Sequence, residues 1–279
     1  MPIHDQSYRR YTGERRPAGQ AWTVIARTGL RLLLRRRGFF ALMLASWLPF
    51  VVRSVQIYAS ANMPQLAFIA PTAETFRQFL DQQSIFVFFV TVFGGAGLIA
   101  NDRRANALQL YLSKPLTRAE YVWGKLAVLM SLLLMVTWVP AMALLLVQLA
   151  FSGSFAFLAA NAWLVPAITV LSVIQAGTVA AAMLALSSLS NSSRFVGLMY
   201  AFLIFFTDAL YGVLRVATRT TAASWISIGN DIQQIGDAIF RLPPRYETPW
   251  PISLSVLVAL VAAAAVVLER RVRGVEVVA

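Results

Sequence analysis

The chain has 279 residues, 58% of them hydrophobic and only 13% charged, with a mean hydropathy of +0.67. Soluble domains carry about 25% charged residues, so this composition leaves too little polar surface for a water-soluble fold and points to a polytopic membrane protein. With no cysteine and one histidine, His4, disulfides, thiolate chemistry, a His-based metal site and a Ser-His-Asp triad in the membrane are excluded; the net charge of +12 bears on membrane orientation rather than on nucleic acid.

Residues 1–20 read as a polar tail. The next stretch, 21–37 (AWTVIARTGLRLLLRRR), is too charged to cross a bilayer. Arg27, Arg31 and Arg35 recur every four residues, so they line one face of a helix. That pattern predicts a helix lying in the membrane interface with its basic stripe toward lipid phosphates, which also serves as a positive anchor. Six apolar runs follow, at about 39–60, 84–100, 121–150, 159–188, 195–214 and 250–268. Each can cross a hydrocarbon core of about 30 Å as a helix. The first opens after a long basic tail, which is not the layout of a cleaved signal peptide. Pro140 and Pro166 fall inside the third and fourth runs and are expected to kink them. Gly94, Gly95 and Gly97 in the second run, with Ala176, Gly177 and Ala180 in the fourth, predict close helix approach.

Between the fifth and sixth runs, 215–248 is the longest connection. Trp225, Ile228, Ile232, Ile235 and Ile239 step by three and four, the spacing of an amphipathic helix. It is expected to pack on the outer rim of the bundle or dip into the interface. Pro243 and Pro244 are expected to end it, and Pro249 and Pro251 to open the last span. Residues 269–279 form a second tail, so 21–268 reads as one all-α transmembrane domain.

Six spans put both termini on one side. Of the 24 basic residues, Arg53, Arg77, Arg215, Arg219, Arg241 and Arg245 lie away from that side; the other eighteen lie in the tails, the interfacial helix or the loops at 101–125 and 189–194. The positive-inside rule then places both termini in the cytoplasm, with the chain in the cell membrane. Arg53 and Asp208 sit at similar depth inside spans. A charge at mid-membrane costs about 2.5–3.5 kcal/mol on insertion scales. Three arrangements offset it: an Arg53–Asp208 ion pair, separate snorkelling to the outer surface, or contact with a substrate.

No phosphate loop occurs: Gly124-Lys125 runs into Leu126 and lacks the upstream glycine. Zincin, nucleophile-elbow and paired Mg-binding acidic motifs are missing too. The chain therefore reads as a non-enzyme that needs no cofactor of its own. Its most informative stretch is 101–125, NDRRANALQLYLSKPLTRAEYVWGK. Asn101 or Asp102 can cap a short helix whose apolar edge is Ala105, Leu108 and Leu112, with Arg103 and Arg104 in its polar first turn. Pro115 stops it. Thr117 and Glu120 have capping-box spacing at the head of the third span. A loop needed only as a connection could be a few polar residues; this one has the build of a docking knob or of a helix lying on the membrane surface.

These residues resemble the permease subunits of type-2 ATP-binding-cassette exporters, in particular the multicopper-enzyme-maturation-like subgroup. Asp102 stands at the family's acidic position, Ala107-Leu108 at its Thr-Leu, Leu112-Ser113 and Pro115 at its Leu-Ser-x-Pro, Arg118 at its Arg and Gly124-Lys125 at its Gly-Lys. The chain departs at Asn106, where the family often has Gly, and at Asp102, where Glu is common. The resemblance implies that 101–120 is a coupling helix. Asp102, Arg103, Arg104, Leu108, Leu112, Pro115 and Arg118 would then meet a cleft on a separate ATPase subunit that carries ATP and Mg. Two permease copies, identical or related, would pair with two ATPases. The alternative is a non-transporting scaffold or mechanotransmitter driven by the same kind of ATPase. No nucleic acid partner is expected; membrane lipids are.

Overall fold

A computed structural model describes residues 20–107, 117–152 and 156–272. They form helices and turns with no strand among them. Six segments are long and apolar enough to cross a membrane: Arg37–Asn62, Ala73–Arg104, Arg118–Phe151, Leu164–Leu189, Ser193–Thr218 and Trp250–Arg271. They match the six predicted runs, with one large difference. The second begins at Ala73 rather than near 84, because the polar stretch before the apolar run is also helical.

In chain order the helices are α1 (Ala21–Leu34), α2 (Arg37–Ala45), α3 (Leu48–Asn62), α4 (Ala73–Val90), α5 (Gly97–Arg104), α6 (Arg118–Val136) and α7 (Trp138–Ser152). There follow the short α8 (Ala156–Ala160), then α9 (Leu164–Leu189), α10 (Ser193–Thr218), α11 (Ile228–Ile239) and α12 (Trp250–Arg271). The spans alternate in direction, so the Arg-rich connections gather at one end, here the basic end. The other is the far end.

Three spans are interrupted, each for a local reason. The first breaks at Ser46–Trp47, where Pro49 opens α3. The freed Ser46 carbonyl accepts from Gln83 Nε2 at 3.1 Å, and both residues are buried. The second widens into a π turn over Thr91–Gly95. There the Ser187 hydroxyl accepts from the Ile99 and Ala100 N–H groups at 3.1 and 3.0 Å and donates to the Ala96 carbonyl at 2.8 Å. In the third, Pro140 has no N–H for the Val136 carbonyl, and the helix breaks at Thr137 as expected. Pro166 behaves otherwise. It falls in the first turn of α9, where a missing N–H costs nothing, so the expected kink in the fourth span is absent.

The fourth span is the centre of the bundle: 72% of its apolar window is buried, against 22% for the fifth and sixth and 17% for the first. Small residues set the closest approaches. A methyl on Gly95 would lie 2.6 Å from Met183 Cγ and 2.9 Å from a Leu129 methyl carbon, so the second, third and fourth spans meet there. Gly177, by contrast, faces open space, and its small size is not a packing requirement. Helix α1 lies across α6, where a Cβ on Gly124 would come within 2.8 Å of Ile25 Cβ. Ala26 and Leu33 are buried in this contact, while Arg27, Arg31 and Arg35 are exposed, as the four-residue spacing predicts.

Helix α11 corrects the simple amphipathic reading. Ile228 and Ile235 are buried with Leu257, but Asp231, Gln234 and Asp237 are buried too. The helix is wedged among α4, α9, α10 and α12 rather than lying on a rim with a solvated polar face. Nor do Pro243 and Pro244 end it. The stop comes earlier, with Arg241 left-handed at φ 56, Leu242 N–H on the Asp237 carbonyl at 2.9 Å and Arg241 N–H on Ala238 at 3.2 Å. Pro249 and Pro251 do open the last span.

Candidate functional site

Two places collect polar side chains. The first is the root of the hairpin at the basic end. Asn101 and Asp102 do not cap a separate helix: both sit in the last turn of α5, which runs on to Arg104. Asn106 then takes φ 51, the left-handed conformation that Gly or Asn adopts most easily after a helix. Asp102 Oδ2 accepts from Tyr121 Oη at 2.8 Å and pairs with Lys125 Nζ at 2.6 Å. Tyr121 is fully buried, and Lys125 Nζ lies 5.4 Å from its ring centroid. Arg103 donates from Nη1 to the Ser188 carbonyl at the end of α9. Thr117 and Glu120 form the expected capping box, with Glu120 N–H on Thr117 Oγ1 at 3.2 Å and Thr117 N–H on Glu120 Oε2 at 2.9 Å.

Asp102 and Arg103 are thus held by groups of this chain rather than left free for a partner. Arg104 and Arg118 are exposed, and Arg118 borders a groove that also contains Trp123 and Glu269. Leu108, Leu112 and Pro115 lie outside the described residues. What the geometry can do here is mechanical: Asp102 joins α5 to α6, and Arg103 joins α5 to α9.

The second place is at the far end. Helix α4 brings Arg77 and Asp81 to one face, four residues apart. The end of α11 supplies Asp237, and the following loop supplies Arg245. Arg77 Nη1 pairs with Asp81 Oδ1, and Arg77 Nε approaches Asp237 Oδ1 at 3.2 Å, without hydrogen-bond alignment. Arg245 closes the ring at 2.9 Å to Asp81 and 2.9 Å to Asp237. Arg77 is 1% exposed and also donates to the Gln233 carbonyl at 2.9 Å. Gly236 makes room, since a Cβ there would come within 2.4 Å of Arg77 Nε. Burial pushes the Asp237 carboxyl up, against the pull of Arg77 and Arg245. Burial pulls Arg245 down, but Asp81 and Asp237 outweigh it and its net movement is up. An upward Asp237 favours its neutral form, whereas an upward Arg245 favours its charged form. The geometry decides for ionised partners, because each Asp meets two guanidinium groups, which stay protonated in proteins.

Below the ring is a cavity of about 200 Å³ between α4, α9, α10 and α11, with Asp81, Gln175, Tyr200, Asp208 and Gln233 in its wall. The Arg53–Asp208 ion pair weighed from sequence does not form. Arg53 donates to Gln56 Oε1 at 2.9 Å, and to Gln78 and Gln82 at 3.4 Å each. Asp208 accepts instead from Ser227 Oγ, which also caps α11 through Asn230 N–H at 3.1 Å. Two glutamines one turn apart on α4 satisfy Arg53, so it has no need of the carboxylate.

The ring is not legible in the apolar runs, because Arg77 precedes the second run at about 84–100. The available signal was the Arg77–Asp81 spacing of four beside Phe76 and Leu80, a helical pattern running ahead of the apolar core of the span. Nothing local in the sequence joins that pair to Asp237 and Arg245.

Comparison with protein-family models gives no match, and comparison with curated proteins gives none either. The helices themselves define a class: the chain has the build of an all-α, multi-pass membrane protein.

Proposed function

We propose that this chain is the membrane-spanning permease subunit of an ATP-driven exporter of the type-2 ATP-binding-cassette class. Its basic end faces the cytoplasm, and residues 101–120 form the coupling segment seated on a separate ATPase. What carries the reading is the run 101–125. Its motif resembles the family's, and its root is tied by Asp102 to Tyr121 and Lys125 and by Arg103 to Ser188. A push on the tip would therefore reach α5, α6 and α9 together instead of bending one loop, which is rigid-body coupling. ATP and Mg belong to the ATPase. Two permease copies would complete the pathway, in the cell membrane.

The test is the tip. Leu108→Asp places a charge where an apolar cleft would seat a leucine worth about 1.5–3 kcal/mol of burial. The variant should insert normally but lose copurification with its ATPase and lose transport-linked ATP hydrolysis. Normal copurification and unchanged hydrolysis would sink the proposal. If the ATPase stays bound but no cargo ever stimulates it, the alternative of a mechanotransmitter takes precedence.

A further inference from the structure

We propose that the cavity under the ion ring binds a small amphipathic organic cation, with its ammonium on Asp208 and its hydrocarbon against Leu80, Phe88, Leu171 and Ile232. The inference deepens the exporter reading by naming a cargo class, and it rests on four observations. The first is charge. Of the ionised side chains in the wall, Arg77 and Asp81 belong to the ring and neutralise each other there. Asp208 has the Ser227 hydroxyl, but among the described residues no Arg or Lys lies within ion-pair distance of it. The wall therefore carries one carboxylate without a counter-ion among the described residues, on an exposed side chain that a cation can reach.

The second is the apolar part of the wall, Leu80, Phe88, Leu171 and Ile232 among it, which suits hydrocarbon beside the polar Gln175 and Gln233. The third is a pair of aromatic rings: Phe88 and Tyr200, both wall residues, are stacked with centroids 5.8 Å apart and add aromatic surface to the wall. The fourth is size. A cavity of about 150 Å³ holds benzene, so about 200 Å³ admits a ring or short chain with one ammonium-bearing carbon attached. An anion would meet the Asp208 carboxylate and is excluded.

The experiment needs no ATPase. The full chain in lipid nanodiscs is titrated calorimetrically with benzylammonium, benzyl alcohol and benzoate, with empty nanodiscs to subtract partition into lipid. Benzylammonium should saturate, benzyl alcohol should bind about ten-fold more weakly, and benzoate should not bind. Asp208→Asn should weaken benzylammonium by about ten-fold or more while leaving benzyl alcohol unchanged; Asp208→Glu should restore most of the loss. Gly229→Leu should block both ligands by filling the cavity. A Cβ at Gly229 meets Asp208 Oδ1 and Ser227 Oγ at an ordinary 3.7 Å, so the backbone position accepts a side chain. Equal binding of benzylammonium to wild type and Asp208→Asn, or benzoate binding as well as benzylammonium, would overturn the proposal. Absent binding overturns the cavity site and leaves the exporter reading to the Leu108→Asp test. Binding together with an unaffected Leu108→Asp variant keeps the site and removes the exporter.

Discussion

At the scale of single residues, Asp231 is the least exposed acid among the described residues. It is fully buried, and neither carboxylate oxygen has a hydrogen-bond partner among the described residues. Burial pushes its carboxyl up to about 7, against the opposing influence of the Ser253 hydroxyl. The ring at Arg77, Asp81, Asp237 and Arg245 forms its ion pairs without it. The sign of the consequence follows from linkage. A carboxyl whose folded value lies above its unfolded value of about 3.9 binds its proton more tightly when folded. Its contribution is fully present below that unfolded value and is lost as pH rises through about 7. Thermal unfolding of the full chain should thus show falling stability between pH 5 and pH 8. Asp231→Asn, neutral throughout, should flatten that fall and be the more stable of the two at pH 8. Parallel profiles for the two proteins would show that Asp231 is ionised and satisfied in the fold.

Between elements, polar side chains do what backbone ladders cannot. Gln83 takes the carbonyl freed at the break in the first span, and Ser187 bridges the π turn in the second. In hydrocarbon an unpaired backbone group costs several kcal/mol, so a broken helix requires such a neighbour. The ion ring does the same work between α4, α11 and the loop after it. Arg77→Ala would leave Asp237, 2% exposed, short of a buried partner. It should cost about 3–5 kcal/mol, whereas replacing both members, Arg77→Met with Asp237→Leu, should come far closer to neutral. A double-mutant cycle on thermal stability in nanodiscs measures the difference. Additive single and double losses would show that the two side chains do not interact.

At the scale of the molecule, charge asymmetry sets the orientation to be expected. Eighteen basic residues against six favour a cytoplasmic basic end. The chain contains no cysteine, so single cysteines report cleanly. In intact cells an impermeant thiol reagent should label Thr220→Cys and spare Ser113→Cys until the membrane is opened. The reverse pattern would invert the topology and remove the coupling role from 101–120. The first and fifth spans bury little of their surface, and the stacked pair Phe202–Phe206, centroids 4.9 Å apart, lies on the exposed face of the fifth. Such faces suit lipid or a second copy.

The sequence by itself determined the six spans, the break near Pro140, the capping box at Thr117, the basic stripe of α1 and the prolines that open α12. Each depends on residues within a few turns of one another, where hydropathy, missing N–H groups and helical spacing act directly. Only the tertiary structure decided what the buried polar residues do. Arg77 was legible as a charge on the far side of the membrane, outside the predicted runs, and Asp208 as a charge within one. That Arg77 meets Asp237, 160 positions away in the chain, and that Asp208 meets Ser227 across a helix junction, follows from how α11 is wedged into the bundle. The charge on a side chain can be read from its residue type, but the partner that makes its burial tolerable is chosen by packing between distant elements.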